Sequence, residues 1–162
     1  MTLASHEFTV VADGLPLDDD RWADAFYAAG CDDAVVALQR GLFVVDFHRQ
    51  AGSPLEAIAS ACADVRSAGA RIRRIGPDPL VGPADIADRA GMSRQAVSLY
   101  VLGGRREAFP PPVACVDTAR PLWRWSEVAA WLRDHGRVGD AEVAMAEAVE
   151  AANRVEVALP SI

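Results

Sequence analysis

Residues capable of acid–base or nucleophilic chemistry are few in this chain, and their spacing assembles no catalytic set. His6, His48 and His135 fall in three separate segments, none with a Ser or Cys partner in a recognisable motif. No GxGxxG, GxxxxGK(S/T) or HExxH string occurs, so neither a phosphate-cradling loop nor a paired-histidine zinc site is expected. Asp18, Asp19 and Asp20 could attract a cation, but carboxylates at a helix start are already accounted for by the helix dipole. Asp32-Asp33 reads as a plain turn. Cys31, Cys62 and Cys115 are scattered without ligand spacing, which fits reduced core thiols rather than a disulfide framework. The expectation is a protein that is not an enzyme, with no metal and no cofactor.

What remains is arginine chemistry. All 16 lysine-or-arginine positions are Arg, and a guanidinium offers a fixed fork of donors suited to carboxylates and phosphates. The overall charge of −7 would repel a polyanion, but its distribution is uneven. Residues 1–80 hold seven Arg against twelve Asp and Glu, net −5, and residues 138–162 are net −4. Residues 81–137 hold eight Arg against six acids, net +2, and phosphate contacts need local cations rather than a basic whole.

The elements that must position these groups can be read in order. His6–Val11 is strand-like, and Asp13-Gly14-Leu15-Pro16 marks a turn. Leu17–Gly30 reads as a helix facing inward with Trp22, Ala25, Phe26 and Ala29. Ala34–Arg40 and Leu42–Gln50 form a hairpin at Gly41, with Phe43, Val45 and Phe47 alternating against Val44, Asp46 and His48. Ser53-Pro54 opens a second helix, to about Ala68, whose expected apolar face is Leu55, Ile58, Ala59, Cys62 and Val65. Ala70–Ile75 is a fourth strand, and Gly76-Pro77-Asp78-Pro79 is a linker. This βαββαβ order predicts an α+β fold, with a ferredoxin-like domain over residues 1–78: a four-stranded antiparallel sheet with both helices on one face.

Past the linker, Pro83–Ala90 predicts a short helix burying Ile86, Ala87 and Ala90. Gly91 sits where a left-handed turn is cheapest. Ser93 then caps a second helix anchored by Val97 and Tyr100. The small–Gly–Val spacing and the string Ala-Gly-Met-Ser-Arg-Gln-Ala-Val-Ser resemble a helix-turn-helix. Farther on, Phe109-Pro110-Pro111-Pro112-Val113 precedes an expected hairpin of Ala114–Val116 and Pro121–Trp125, then a helix capped by Ser126. Over about residues 80–136 this resembles the winged-helix domains of phage excisionases and of AlpA and MerR-type regulators. The tip departs from their Gly/Arg-rich wing, carrying Asp117 and only Arg120.

The resemblance implies that the second helix enters the major groove of double-stranded DNA, with Arg94, Gln95 and Ser98 reaching base edges and Ser93 offering the helix N-terminus to a phosphate. Arg105, Arg106, Arg120 and Arg124 become candidate phosphate contacts. Trp123, Trp125 and Trp131 are expected in the core, the first two on one strand face.

The expected domains are thus 1–78, a winged helix-turn-helix at 79–137, and a helix and tail at 138–162. Val138–Arg154 is an acidic helix with Val143, Ala144, Glu147, Ala148 and Ala151 along one side, favouring a homodimer or docking on its own chain. The start lacks a signal-peptide pattern, and no apolar run reaches the ~20 residues of a membrane span, so a cytoplasmic location is expected. A transcription regulator is the leading expectation. An adaptor or antitoxin-like protein with a degenerate winged helix is a second, its partner held by the acidic first domain and tail, and an architectural, excisionase-like factor a third.

Overall fold

The computed structural model describes residues 2–103 and 108–157, and divides them between two compact units. One contains the residues up to Pro77 together with those from Ala148 onward; the other is Asp78–Glu147. Among the described residues the chain is mixed α+β, with a four-stranded antiparallel sheet and six helices.

In the first unit the sheet is built on strands β1 (Ala4–Asp13), β2 (Ala34–Gln39), β3 (Leu42–Ala51) and β4 (Arg71–Gly76), in the order β2-β3-β1-β4. β2 and β3 are joined by two residues, Arg40 and Gly41, with φ of 52° and 80°. Two successive left-handed residues suit the right-handed twist of a tight hairpin, and glycine makes the second inexpensive. Phe43, Val45 and Phe47 are buried and Asp46 and His48 exposed, as the alternation requires.

Both helices cover the same face of this sheet. Helix α1 (Arg21–Ala28) sets Trp22 and Phe26 against Phe43, with ring centroids 5.2 and 5.3 Å apart. Helix α2 (Pro54–Ser67) reaches Arg49, on the Phe43 side of β3, through Ser60 and Asp64. Ser53 caps α2 by accepting the Glu56 N–H at 3.2 Å.

Two expectations need correction here. α1 begins at Arg21, because the Asp19 carboxylate accepts the Arg21 N–H at 2.9 Å and closes a turn before the helix. The buried face of α2 is Ala57, Ile58, Ala61, Cys62 and Val65, so Leu55 and Ala59 face solvent.

The second unit contains β5 (Leu80–Val81), α3 (Pro83–Ala90), α4 (Arg94–Val101), β6 (Trp123–Arg124), α5 (Trp125–Asp134) and the first half of α6 (Asp140–Glu156). Its core joins Val81, Ile86, Ala87, Val97, Trp123, Trp125, Val128, Ala129, Leu132, Val143 and Ala146. The expected hairpin reduces to a single bridge, Ala114 to Leu122, while Trp123–Arg124 pair instead with Leu80–Val81. Trp125 opens α5 rather than sharing a strand face with Trp123: its N–H donates to the Pro79 carbonyl at 2.7 Å, and Arg124, not Ser126, is the cap position.

Helix α6 buries Val143, Ala146, Ala148, Val149 and Ala152, leaving Ala144 and Glu147 exposed, contrary to the expected stripe. From Ala148 it belongs to the first unit, where Asn153 bonds to β4 and Arg66 pairs with Glu156 at 2.6 Å. Its apolar side is therefore occupied within the chain. Among the described residues, no helix is long and apolar enough to cross a membrane.

Candidate nucleic-acid interface

The site is built outward from two short helices and the turn between them. Pro83 starts α3 at the first helical position, and Asp85 accepts the Gly82 N–H at 3.0 Å, satisfying a donor just before the helix. Gly91 ends α3 at φ 64°, ψ 36°, and the Met92 N–H returns to the Ala87 carbonyl at 2.9 Å. A Cβ at Gly91 would touch nothing within 4 Å, so its requirement is conformational rather than steric. Ser93 then caps α4, its hydroxyl accepting the Ala96 N–H at 3.1 Å.

Burial divides α4 sharply. Val97 and Tyr100 are buried; Ser93, Arg94, Gln95, Ser98 and Leu99 are exposed. The inner side is held by an aromatic cluster in which Tyr100 meets Trp131 edge-on at 4.8 Å and Phe109 packs on both. The segment after the undescribed residues is tied down by Trp123, whose Nε1 donates to the Pro110 carbonyl at 2.9 Å. Trp131 also stacks on His135 at 3.7 Å. Trp123, Trp125 and Trp131 thus serve packing.

The structure brings Ser93, Arg94, Gln95 and Ser98 onto the exposed side of one capped helix. Arg120 is on another segment, exposed in the turn after Cys115, where the Thr118 hydroxyl accepts the Arg120 N–H. Arg124 is exposed on β6 and paired with Glu127 at 3.5 Å. Arg105 and Arg106 lie outside the described residues. No family model, curated protein or solved structure matches this chain.

Sequence reasoning missed two features of this surface. Leu99 is 50% exposed and Leu102 81%, continuing the outer side of α4 with apolar groups. Their helical offsets from Gln95 and Ser98 carried that signal. Arg89, on α3, is withdrawn from any ligand: its guanidinium lies 5.2 Å from the Trp125 ring centroid, and Nη1 donates to the Asp78 carbonyl. Burial pulls its pKa below the ordinary arginine value, against the opposing effect of Asp85 and Asp78.

Among its described residues the first unit presents no comparable capped, exposed helix. Its most buried charge, Arg49, donates to Asp33 through Nε and Nη2 at 2.8 and 3.0 Å, and to the Gly30 carbonyl. It also pairs with Asp64 at 2.8 Å. Asp33 is thus part of an ion-pair network rather than a plain turn, and hydrogen bonds to both carboxylates push the arginine pKa up. A shallow hollow of about 270 Å³ is lined by Asp18, Asp19, Arg21 and Trp22, and Arg21 pairs with Asp19 at 3.4 Å. Among the described residues no group of His, Cys, Asp or Glu could hold a metal ion.

Cys31 and Cys62 are buried, and desolvation pushes their thiols up to about 11 and about 12. Cys115 is exposed, which corrects the expectation of three core thiols.

Proposed function

We propose that this chain is a sequence-specific double-stranded DNA-binding regulator with no enzymatic role, and that α4 is its recognition helix. One observation carries the reading: a helix capped by Ser93 and reached through a left-handed glycine turn hides Val97 and Tyr100 while presenting Arg94, Gln95 and Ser98. Arginine can grip guanine O6 and N7, and glutamine adenine N6 and N7, from the major groove. The order of β5, α3, α4, β6 and α5 supports a winged-helix assignment, with the turn after Cys115 as a reduced wing. The sheet order of the first unit, with α1 and α2 on one face, supports a ferredoxin-like assignment for it.

The deciding experiment is capture of genomic DNA fragments by the purified chain, followed by titration of the enriched sequence at several salt concentrations. The expected result is one recurrent motif and an affinity that falls steeply with salt. Arg94→Ala then relaxes preference at one base, whereas Arg120→Ala weakens all sequences alike.

A second reading is favoured by a specific observation. Leu99 and Leu102 place apolar surface on the presented side of α4, and a protein partner would cover it. In that adaptor role the chain enriches no DNA, shows a flat salt dependence and copurifies with its partner.

A further inference from the structure

The two edges of the four-stranded sheet are treated differently. At β4 the backbone of Ile75 is taken up by Asn153, which both accepts from its N–H and donates to its carbonyl. At β2, no described strand or helix pairs with the outer edge. Its free groups can be assigned from the ladder. The His48 N–H donates to the Asp33 carbonyl, and partners in an antiparallel pair alternate, so the odd residues of β2 bond to β3. Ala34, Val36 and Leu38 therefore direct their N–H and C=O groups outward.

Nothing along this edge discourages pairing. Ala34–Gln39 contains no charge, proline or bulge, the usual protections of an edge strand. Val35 is 70% exposed and Leu38 41%. The charges lie just beyond its ends and have opposite signs: Asp32 precedes the strand and Arg40 follows it, both exposed and neither in a salt bridge among the described residues.

We propose that β2 pairs antiparallel with β2 of a second copy of this chain, joining two sheets into one of eight strands. The outward groups require even residues to face even residues, and centring the pair on Val36 sets it against its own counterpart and Ala34 against Leu38. The same register sets Asp32 of each copy against Arg40 of the other, twice per dimer. Parallel pairing would instead bring like charges together. The occupant is therefore a second copy in two-fold arrangement. This pairing is independent of the DNA reading and stands or falls separately.

The test is sedimentation equilibrium of the full chain and four variants across the micromolar range. The parent should approach twice its 17.3 kDa mass. Asp32→Arg or Arg40→Asp alone sets like charges together at both ends and should weaken the dimer about tenfold, whereas the double variant restores it. Val36→Pro removes an outward N–H that β3 does not use and should leave a monomer with the parent's circular dichroism. A parent that stays monomeric overturns the proposal. So does a dimer indifferent to either charge reversal, or a double variant no tighter than the single ones.

Discussion

The carboxamide of Asn153 closes on both backbone groups of Ile75: Oδ1 accepts the N–H at 2.9 Å, and Nδ2 donates to the carbonyl at 2.9 Å. Nδ2 also donates to the Val149 carbonyl one turn earlier in α6. Asn153→Ala strips two partners from a half-buried strand and should cost about 1–3 kcal/mol in urea unfolding. Asn153→Asp retains the acceptor but loses the donor. Amide exchange at Ile75 should accelerate in the alanine variant and stay slow at Val45, in the sheet interior.

Arg49 anchors α2 and the end of the α1–β2 connection to β3, so Arg49→Met strands Asp33 and Asp64 without a cation. Both carboxylates are about one-third exposed, which moderates the penalty to about 2–3 kcal/mol. Gly30→Ala should act on the same network, because a Cβ there would lie 2.9 Å from the Asp64 carboxylate at a φ of 111°. Chemical denaturation of the two single variants and their combination should show losses that do not add.

Arg89 and Arg94 lie in consecutive helices with opposite fates. Arg89→Ala removes the contact with Trp125 and the bond to Asp78, and should lower the melting temperature. Arg94→Ala touches no core group and should leave melting unchanged while costing about 1–3 kcal/mol of base discrimination. Equal effects of the two on melting would contradict this division.

Gly91→Ala places a Cβ on a left-handed residue and should cost about 1–2 kcal/mol, and Gly91→Asn less. Thermal unfolding separates these from a steric cause, since no atom lies near the added carbon.

The chain has no lysine to titrate alongside the two buried thiols. Their folded pKa values, about 11 and about 12, lie above the ordinary 9.0. The folded state therefore keeps protons that the unfolded state releases. The stabilisation is complete below pH 9 and is lost as pH rises toward 11 and 12. The limiting slope is about 1.4 kcal/mol per pH unit for each thiol. Urea midpoints at pH 8 and pH 10 should diverge less in Cys31→Ala than in the parent. A thiol reagent should modify Cys115 in the native state, and Cys31 and Cys62 only on unfolding.

The βαββαβ order, the hairpin at Gly41, the Ser53 and Ser93 caps and the Gly91 break were legible because each depends on a residue's own backbone or its near neighbours. Arg40, read as strand, belongs instead to the turn. The α2 face was misread because alanine contributes little to a periodic pattern, so Leu55 and Ala59 looked equivalent to Ala57 and Ala61. Trp125 fits a strand by alternation with Trp123. Its helix begins there because of Pro79, forty-six residues earlier. Arg49 with Asp64, and Asn153 with Ile75, are joined only by tertiary folding, and no local spacing announces them. On α4, the polar residues drew attention by their chemistry, and Leu99 and Leu102, which prolong their side of the helix, went unread.

The Asn153 clasp also limits how many neighbours the sheet can acquire. A sheet with two open edges is divalent and can add copies without end, as a fibre does. With the Ile75 backbone on the β4 edge held by Asn153, a strand can add there only by displacing that side chain, which leaves this sheet a valence of one. Whatever joins β2 is also the last strand added, so the contact terminates rather than propagates. Removing the single amide at position 153 would raise that valence to two, and the first sign should be turbidity in concentrated solutions rather than lost helicity.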